Sequence, residues 1–123
     1  MLFQQDNNSG QLTINSYQPG ALVINQETFA SSVLITTAGE VSSNELPATF
    51  AELNQDHLDK LSREKPEVIL IGTGPKQEAV SLALKKMIIE KGLAVDIMDT
   101  RAACRTFTIV SSEGRRAIAA LFV

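Results

Sequence analysis

The spacing of hydrophobic residues along this chain changes near its middle, and the change divides it into two kinds of structure. Leu12 and Ile14, with Ser16 completing the inward set, alternate with Thr13 and Asn15, the pattern of a half-buried strand. Pro19-Gly20 is a turn signal, and Ala21 to Ile24 reads as a second strand. Asn25-Gln26 then closes a tight hairpin into an extended run over 28–36, whose best strand is Ser32 to Thr36. Ala38-Gly39 turns the chain again, and Val41 opens a further extended piece. The first third is therefore expected to form antiparallel β-ribbons, after a loosely ordered polar terminus over 1–10.

After Pro47 the period lengthens. Asn54 is a good helix N-cap, with Leu53 just before it and Leu58 at the fourth helical position, the pair that forms a hydrophobic staple. Leu58 and Leu61 face inward and Asp56, Asp59 and Lys60 outward, until Pro66 and the residue before it end the helix. Val68 to Ile71, four apolar residues of which three are β-branched, predict a strand buried on both faces, as in parallel sheets. Gly72-Thr73-Gly74-Pro75 stops it, and a helix is expected from about Lys76 to Lys91, ending at Gly92. Val80, Ala83, Leu84, Met87 and Ile88 form its packing arc, while Leu82 and Ile89 fall on the opposite arc. Leu93 to Met98 predicts a second buried strand, parallel to the first because a short crossover joins them. Asp99 or Thr100 caps a third helix ending at Gly114, and Ala117 to Val123 reads as a last apolar strand. No repeat, low-complexity tract or linker divides the 123 residues, so one domain spanning 1–123 is expected.

Composition narrows the function classes. At 44% hydrophobic and 20% charged residues the chain has the make-up of a globular domain, and a net charge of −3 gives no sign of nucleic-acid binding. One cysteine cannot form an internal disulfide, and with one histidine it cannot make an ordinary zinc site. The opening Met-Leu-Phe-Gln-Gln-Asp lacks a basic region followed by an apolar core, and no apolar run approaches the ~18 residues of a membrane span. A cytoplasmic location without a transmembrane segment is the expectation, and no metal or cofactor is implied.

The stretches Ile71-Gly72-Thr73-Gly74, Met98-Asp99-Thr100, Ala103-Cys104-Arg105-Thr106 and Glu113-Gly114-Arg115-Arg116 together resemble one small family. It is an uncharacterised α/β domain of bacteria and archaea whose mitochondrial relative is an assembly factor for respiratory complex I, NADH:ubiquinone oxidoreductase. The resemblance runs from about Leu12 onward and is most specific over Asp99 to Thr106, where Arg101 fills the variable position and gains no support from it. It implies a three-layer fold around a mixed sheet of about five strands, with the final strand inserted centrally and antiparallel. A parallel βαβ core, an N-terminal antiparallel ribbon and three helices complete that picture. The resemblance carries no mechanism.

Several groups could carry chemistry. Gly72-Thr73-Gly74-Pro75-Lys76-Gln77 partly matches a dinucleotide fingerprint, but Gln77 stands where a third glycine belongs, and no Gly-Lys-Ser/Thr follows as in a phosphate loop. The turn is either a chain reversal above a buried strand or a degenerate anion site. If the second and third helices start at one sheet edge, their N–H groups converge there, near Lys76, Arg101 and Arg105. Those cations either pair with Asp99 or hold an anionic ligand, with Thr73, Thr100 and Cys104 beside them. Cys104 is either a small packing residue or a thiolate activated by the helix end, although it lacks a nearby base. His57 is expected on the surface. Leu82 and Ile89 are either covered by the N-terminal ribbon or form an exposed stripe for a protein partner or self-association, as an open ribbon edge also would.

Two functions remain. A non-catalytic protein-binding or assembly factor, on the respiratory-complex analogy, agrees with the absence of paired catalytic groups. A binder of a small anionic ligand or nucleotide, acting at the 72–77 and 99–105 turns, is the alternative. The first needs an exposed apolar patch and the second a concave pocket at that edge.

Overall fold

The computed structural model describes residues 12–123, so the terminus expected to be loose over 1–10 lies outside the described residues. The first strand, β1 (Ile14–Gln18), pairs antiparallel with β2 (Ala21–Ile24), and β2 with β3 (Glu27–Phe29), making a separate three-stranded sheet. The turn between β2 and β3 has Asn25 at φ 52° and Gln26 at φ 70°, the two left-handed residues of the hairpin turn that matches strand twist. A register shift between Ile14 and Ser16 moves the inward position along β1. Tyr17 is therefore buried and Ser16 exposed, the reverse of the simple alternation.

The expected run over 28–36 is two strands in two sheets. It breaks at Ala30-Ser31-Ser32, where the buried Ser32 hydroxyl donates to the Pro47 carbonyl (2.7 Å). The chain then enters the central sheet as β4 (Val33–Thr36) and returns as β5 (Val41–Ser42). A short 3₁₀ turn at Phe50–Glu52 leads to α1 (Gln55–Ser62). Asn54 caps α1 as expected, its side chain accepting from the His57 N–H (3.2 Å). His57 closes the cap reciprocally, its Nδ1 accepting from the Asn54 N–H (3.0 Å), a role its exposed position in the pattern does not suggest. Leu53 and Leu58, the predicted staple, are both buried.

Strand β6 (Val68–Gly72) is buried at every residue. Helix α2 (Leu82–Lys91) begins six residues later than the periodicity predicts. Residues 77–81 stay irregular, and Ser81 is the cap, its Oγ accepting from the Leu84 N–H (3.1 Å). Gly92, left-handed at φ 64°, ends α2 as expected. Strand β7 (Val95–Met98) is parallel to β6 but lies at the sheet edge, with Asp96 exposed, and is half-buried where full burial was expected. Helix α3 (Thr100–Ser112) is capped by Asp99, and β8 (Ala117–Leu121) ends the sheet's strand set.

The central sheet has the order β5-β4-β8-β6-β7. The last strand is central, as the resemblance implies, but the antiparallel direction expected of it holds against only one of its two neighbours. β8 runs antiparallel to β4 and parallel to β6. The reason is connectivity: α3 carries the chain from the far end of β7 back to the starting end, so β8 must run with β6 and β7. Small residues suit its position, since Ala119 faces one core and Ala120 the other. One core lies between this sheet and α3 with the three-stranded sheet, and it contains Tyr17, Leu22, Leu70 and Phe107. The other lies under α1 and α2 and contains Leu58, Leu61, Ile71 and Leu84. The result is the expected three-layer α/β fold.

Gly72 sets how closely α3 can approach. A Cβ there would lie 2.7 Å from Thr100 Oγ1 and 2.8 Å from the Thr100 backbone Cα. Backbone cannot yield as a flexible side chain can, so Gly72→Ala should cost about 1–3 kcal/mol as an overpacked site. A urea titration should show the midpoint falling at unchanged slope.

Candidate functional site

The turn after β6 and the start of α3 do meet, and they meet through one buried hydroxyl. Thr100 is fully buried; its Oγ1 accepts from the Gly74 N–H (2.8 Å) and donates to the Phe122 carbonyl (2.5 Å). Its backbone N–H donates to the Gly74 carbonyl (2.9 Å), and the Phe122 N–H donates to the Gly72 carbonyl (2.9 Å). Thr73 is held as firmly. Its N–H donates to the Met98 carbonyl (2.8 Å), and its hydroxyl donates to the Lys76 carbonyl (2.5 Å) while accepting from the Glu78 N–H (3.2 Å). The Thr73 and Gly74 N–H groups, which an anion-binding turn would offer to a ligand, are thus committed within the protein.

The other predicted residues spread around this knot. Lys76 and Gln77 are exposed and precede α2 by several residues, so Lys76 does not begin a helix. The N-terminus of α2 lies over the α1 side of the sheet and that of α3 over the other side, so the two helix ends do not share one recess. Asp99 turns its carboxylate to the Ala102 N–H (2.9 Å), supplying the anion at the start of α3 from the chain itself. The expected ion pairs from Arg101 and Arg105 to Asp99 do not form among the described residues. Arg101 instead lies over the Tyr17 ring, 5.4 Å from its centroid, and Arg105 points to solvent. Burial raises the Tyr17 phenol above its ordinary value, with Arg101 opposing.

Cys104 is buried in the α3 core beside Ala103 and Phe107, the packing position expected of it. Burial pushes its thiol up to about 11 against the opposing pull of Arg101 and Arg105. That direction is the opposite of thiolate activation.

A cavity of about 390 Å³ lies at the other end of the sheet. Leu34, Leu61 and Ile118 form its floor, and Lys60, Arg63 and Arg116 contribute cations to its rim, offset by nearby glutamates. Lys60 pairs with Glu45 (3.5 Å), and Arg116 with Glu67 (3.4 Å). Sequence reasoning does not find this cavity, because its walls come from β4, β5, α1 and β8 and no local motif unites them. The described residues contain no cluster of His, Cys, Asp and Glu suited to a metal.

The outer surface departs from one alternative raised by the pattern. Leu82 and Ile89 are not covered by the ribbon, which sits on the opposite face; they are 75% and 76% exposed, and Ile109 on α3 is 57% exposed. No helix among the described residues is long and apolar enough to cross a membrane.

Comparison with known proteins places this geometry. Residues 14–122 match the protein family of unknown function DUF498/DUF598, and the chain belongs to it. It is 25% identical over 115 residues to the "13 kDa major membrane protein" of Francisella tularensis subsp. holarctica (strain LVS), covering 94% of each chain. It is 29% identical over 120 residues to the NADH dehydrogenase (ubiquinone) 1 alpha subcomplex assembly factor 3 of Danio rerio, covering 98% of this chain and 68% of that one. The crystal structure of a Bordetella parapertussis protein superposes with a TM-score of 0.79 at 31% identity, covering 92% of this chain and 96% of that one.

Two outcomes test the knot and the thiol. Thr100→Val keeps the shape but leaves the Gly74 N–H and the Phe122 carbonyl buried and unpaired, so it should cost about 2–4 kcal/mol, whereas Thr100→Ser should cost distinctly less. Calorimetric unfolding of the two variants compares them. For Cys104, a pKa two units above the ordinary 9.0 leaves about 100-fold less thiolate at neutral pH, so native alkylation should be slower by that factor and rise tenfold per pH unit toward 11. The folded thiol holds its proton more tightly than the unfolded one. Its contribution to stability is therefore complete below about pH 9 and is lost as pH rises through about 11.

Proposed function

We propose that this protein is a non-catalytic binding factor that holds protein partners during assembly of a larger complex. The observation that carries the reading is a contrast between the motif-bearing turns and the outer helix surfaces. The motif-bearing turns spend their polar groups on internal hydrogen bonds, while large aliphatic side chains stand in solvent on both helical layers. Ile109 beside Arg105 on α3 is the surface a protein partner would cover, and Leu82 and Ile89 form a separate exposed pair on α2. Arg105 and Ile109 are one turn apart on α3, and arginine is enriched at protein interfaces. The edges of β5 and β7 add backbone groups that a partner strand could pair with.

A relative whose name makes it a complex I assembly factor supports the same reading by analogy, and the respiratory complex is accordingly the assembly to test first.

Affinity capture from native lysate with the intact chain, quantified by mass spectrometry, tests the proposal. The expected result is reproducible recovery of a respiratory-complex subunit, reduced at least about tenfold by Ile109→Ser with Arg105→Ser, the loss that removing one hot spot produces. No recovered partner, together with a rise in melting temperature on adding phosphate or nucleotide, would replace this reading with small-ligand binding.

A further inference from the structure

Helix α2 shows solvent a stripe of aliphatic and basic side chains. At ~100° per residue, Leu82, Lys85, Lys86 and Ile89 fall within an arc of about 100°, with the two aliphatic residues at its centre and a lysine on either side. All four are exposed, and Leu82 and Ile89 are three-quarters so. Neither lysine lies within ion-pair distance of an acid among the described residues, whereas Lys91 at the helix end pairs with Asp59. Glu90 lies about 80° from Leu82, at the margin of the stripe. The helix is anchored from below by Leu84, with Met87 and Ile88 partly buried, so the stripe projects from a fixed base.

We propose that this stripe seats the protein on an anionic lipid surface. Two features favour lipid over a protein groove. Protein interfaces are depleted in lysine and take most of their energy from tyrosine, tryptophan and arginine, none of which is present on this arc. Lysines flanking aliphatic side chains on a helix lying flat are instead what an interfacial membrane helix presents, the side chains entering the headgroup boundary and the ammonium groups meeting phosphate. Leu82 and Ile89 are separated by about 10 Å along the axis, a spacing that lets both enter one plane. The chain as a whole is acidic, at −3, so its overall charge would repel such a surface. Adsorption must therefore come from the local stripe. The proposal goes beyond protein binding and leaves α3 with Arg105 and Ile109, on the opposite layer, free for a protein partner.

The test is co-sedimentation of the full chain with vesicles of phosphatidylcholine alone and with about a third phosphatidylglycerol, a content that gives an appreciable negative surface potential. The expected result is weak binding to the anionic vesicles, negligible binding to the neutral ones, and release as salt rises. Lys85→Glu with Lys86→Glu should lower the partition coefficient about tenfold or more. Leu82→Ser with Ile89→Ser should lower it by a similar factor. These positions are exposed, and circular dichroism verifies that the variants stay folded. Failure to sediment with anionic vesicles, equal binding to neutral vesicles, or binding unchanged in either double variant would overturn the proposal. Should the Leu82/Ile89 variant lose a captured protein while keeping its vesicle binding, the lipid role fails and the protein-binding reading stands.

Discussion

One hydroxyl joins three distant parts of this chain. Thr100 begins α3, accepts from the turn that ends β6 and donates to the residue that follows β8, all in a fully buried position. An unpaired polar group there would be costly, so each of the three segments is held to the others' geometry. Gly72 makes the approach possible, since no side chain could fit between its backbone and Thr100. The closeness of α3 to the sheet and the shape of the 72–74 turn are consequences of this junction.

That junction also explains why the Gly-Thr-Gly sequence resembles a nucleotide site without having the groups to act as one in the usual way. Glycines allow close backbone approach whether the approaching group is a phosphate or another part of the same protein. Here the Thr100 hydroxyl takes the Gly74 N–H, and Asp99 supplies the anion at the helix start. The motif residues that identify the family are therefore explained mainly as structural parts. The outer surfaces of the helices, by contrast, expose the large aliphatic side chains Leu82, Ile89 and Ile109.

Much of the architecture was legible in the pattern. Val68 to Ile71 read correctly as a strand covered on both faces, and Asn54, Asp99, Gly92 and Gly114 marked helix ends because capping is local chemistry. What escaped the pattern depended on distant contacts. Ser81 was a readable cap, but the apolar Val80 extended the helical period past it, and only the Thr73 hydroxyl bonds show why 76–81 stays irregular. The direction of β8 and the split of 28–36 between two sheets are set by topology, and the bulge that brings Tyr17 inward depends on its partner strand. At the candidate site, the grouping of Gly74 with Thr100 was foreseen. The pairing of Arg101 with Tyr17 rather than Asp99 was not, since it requires the ribbon to lie against α3.

The central claim is that the 72–74 turn is an internal joint rather than an open ligand-binding loop. Native-state hydrogen exchange at the Gly74 amide tests it most directly. As a joint closed by Thr100, that amide should exchange only with global unfolding, at the same free energy as the core amides of β6. Exchange at a rate near that of the exposed Lys76 or Gln77 amides would contradict the account, because the turn would then open on its own.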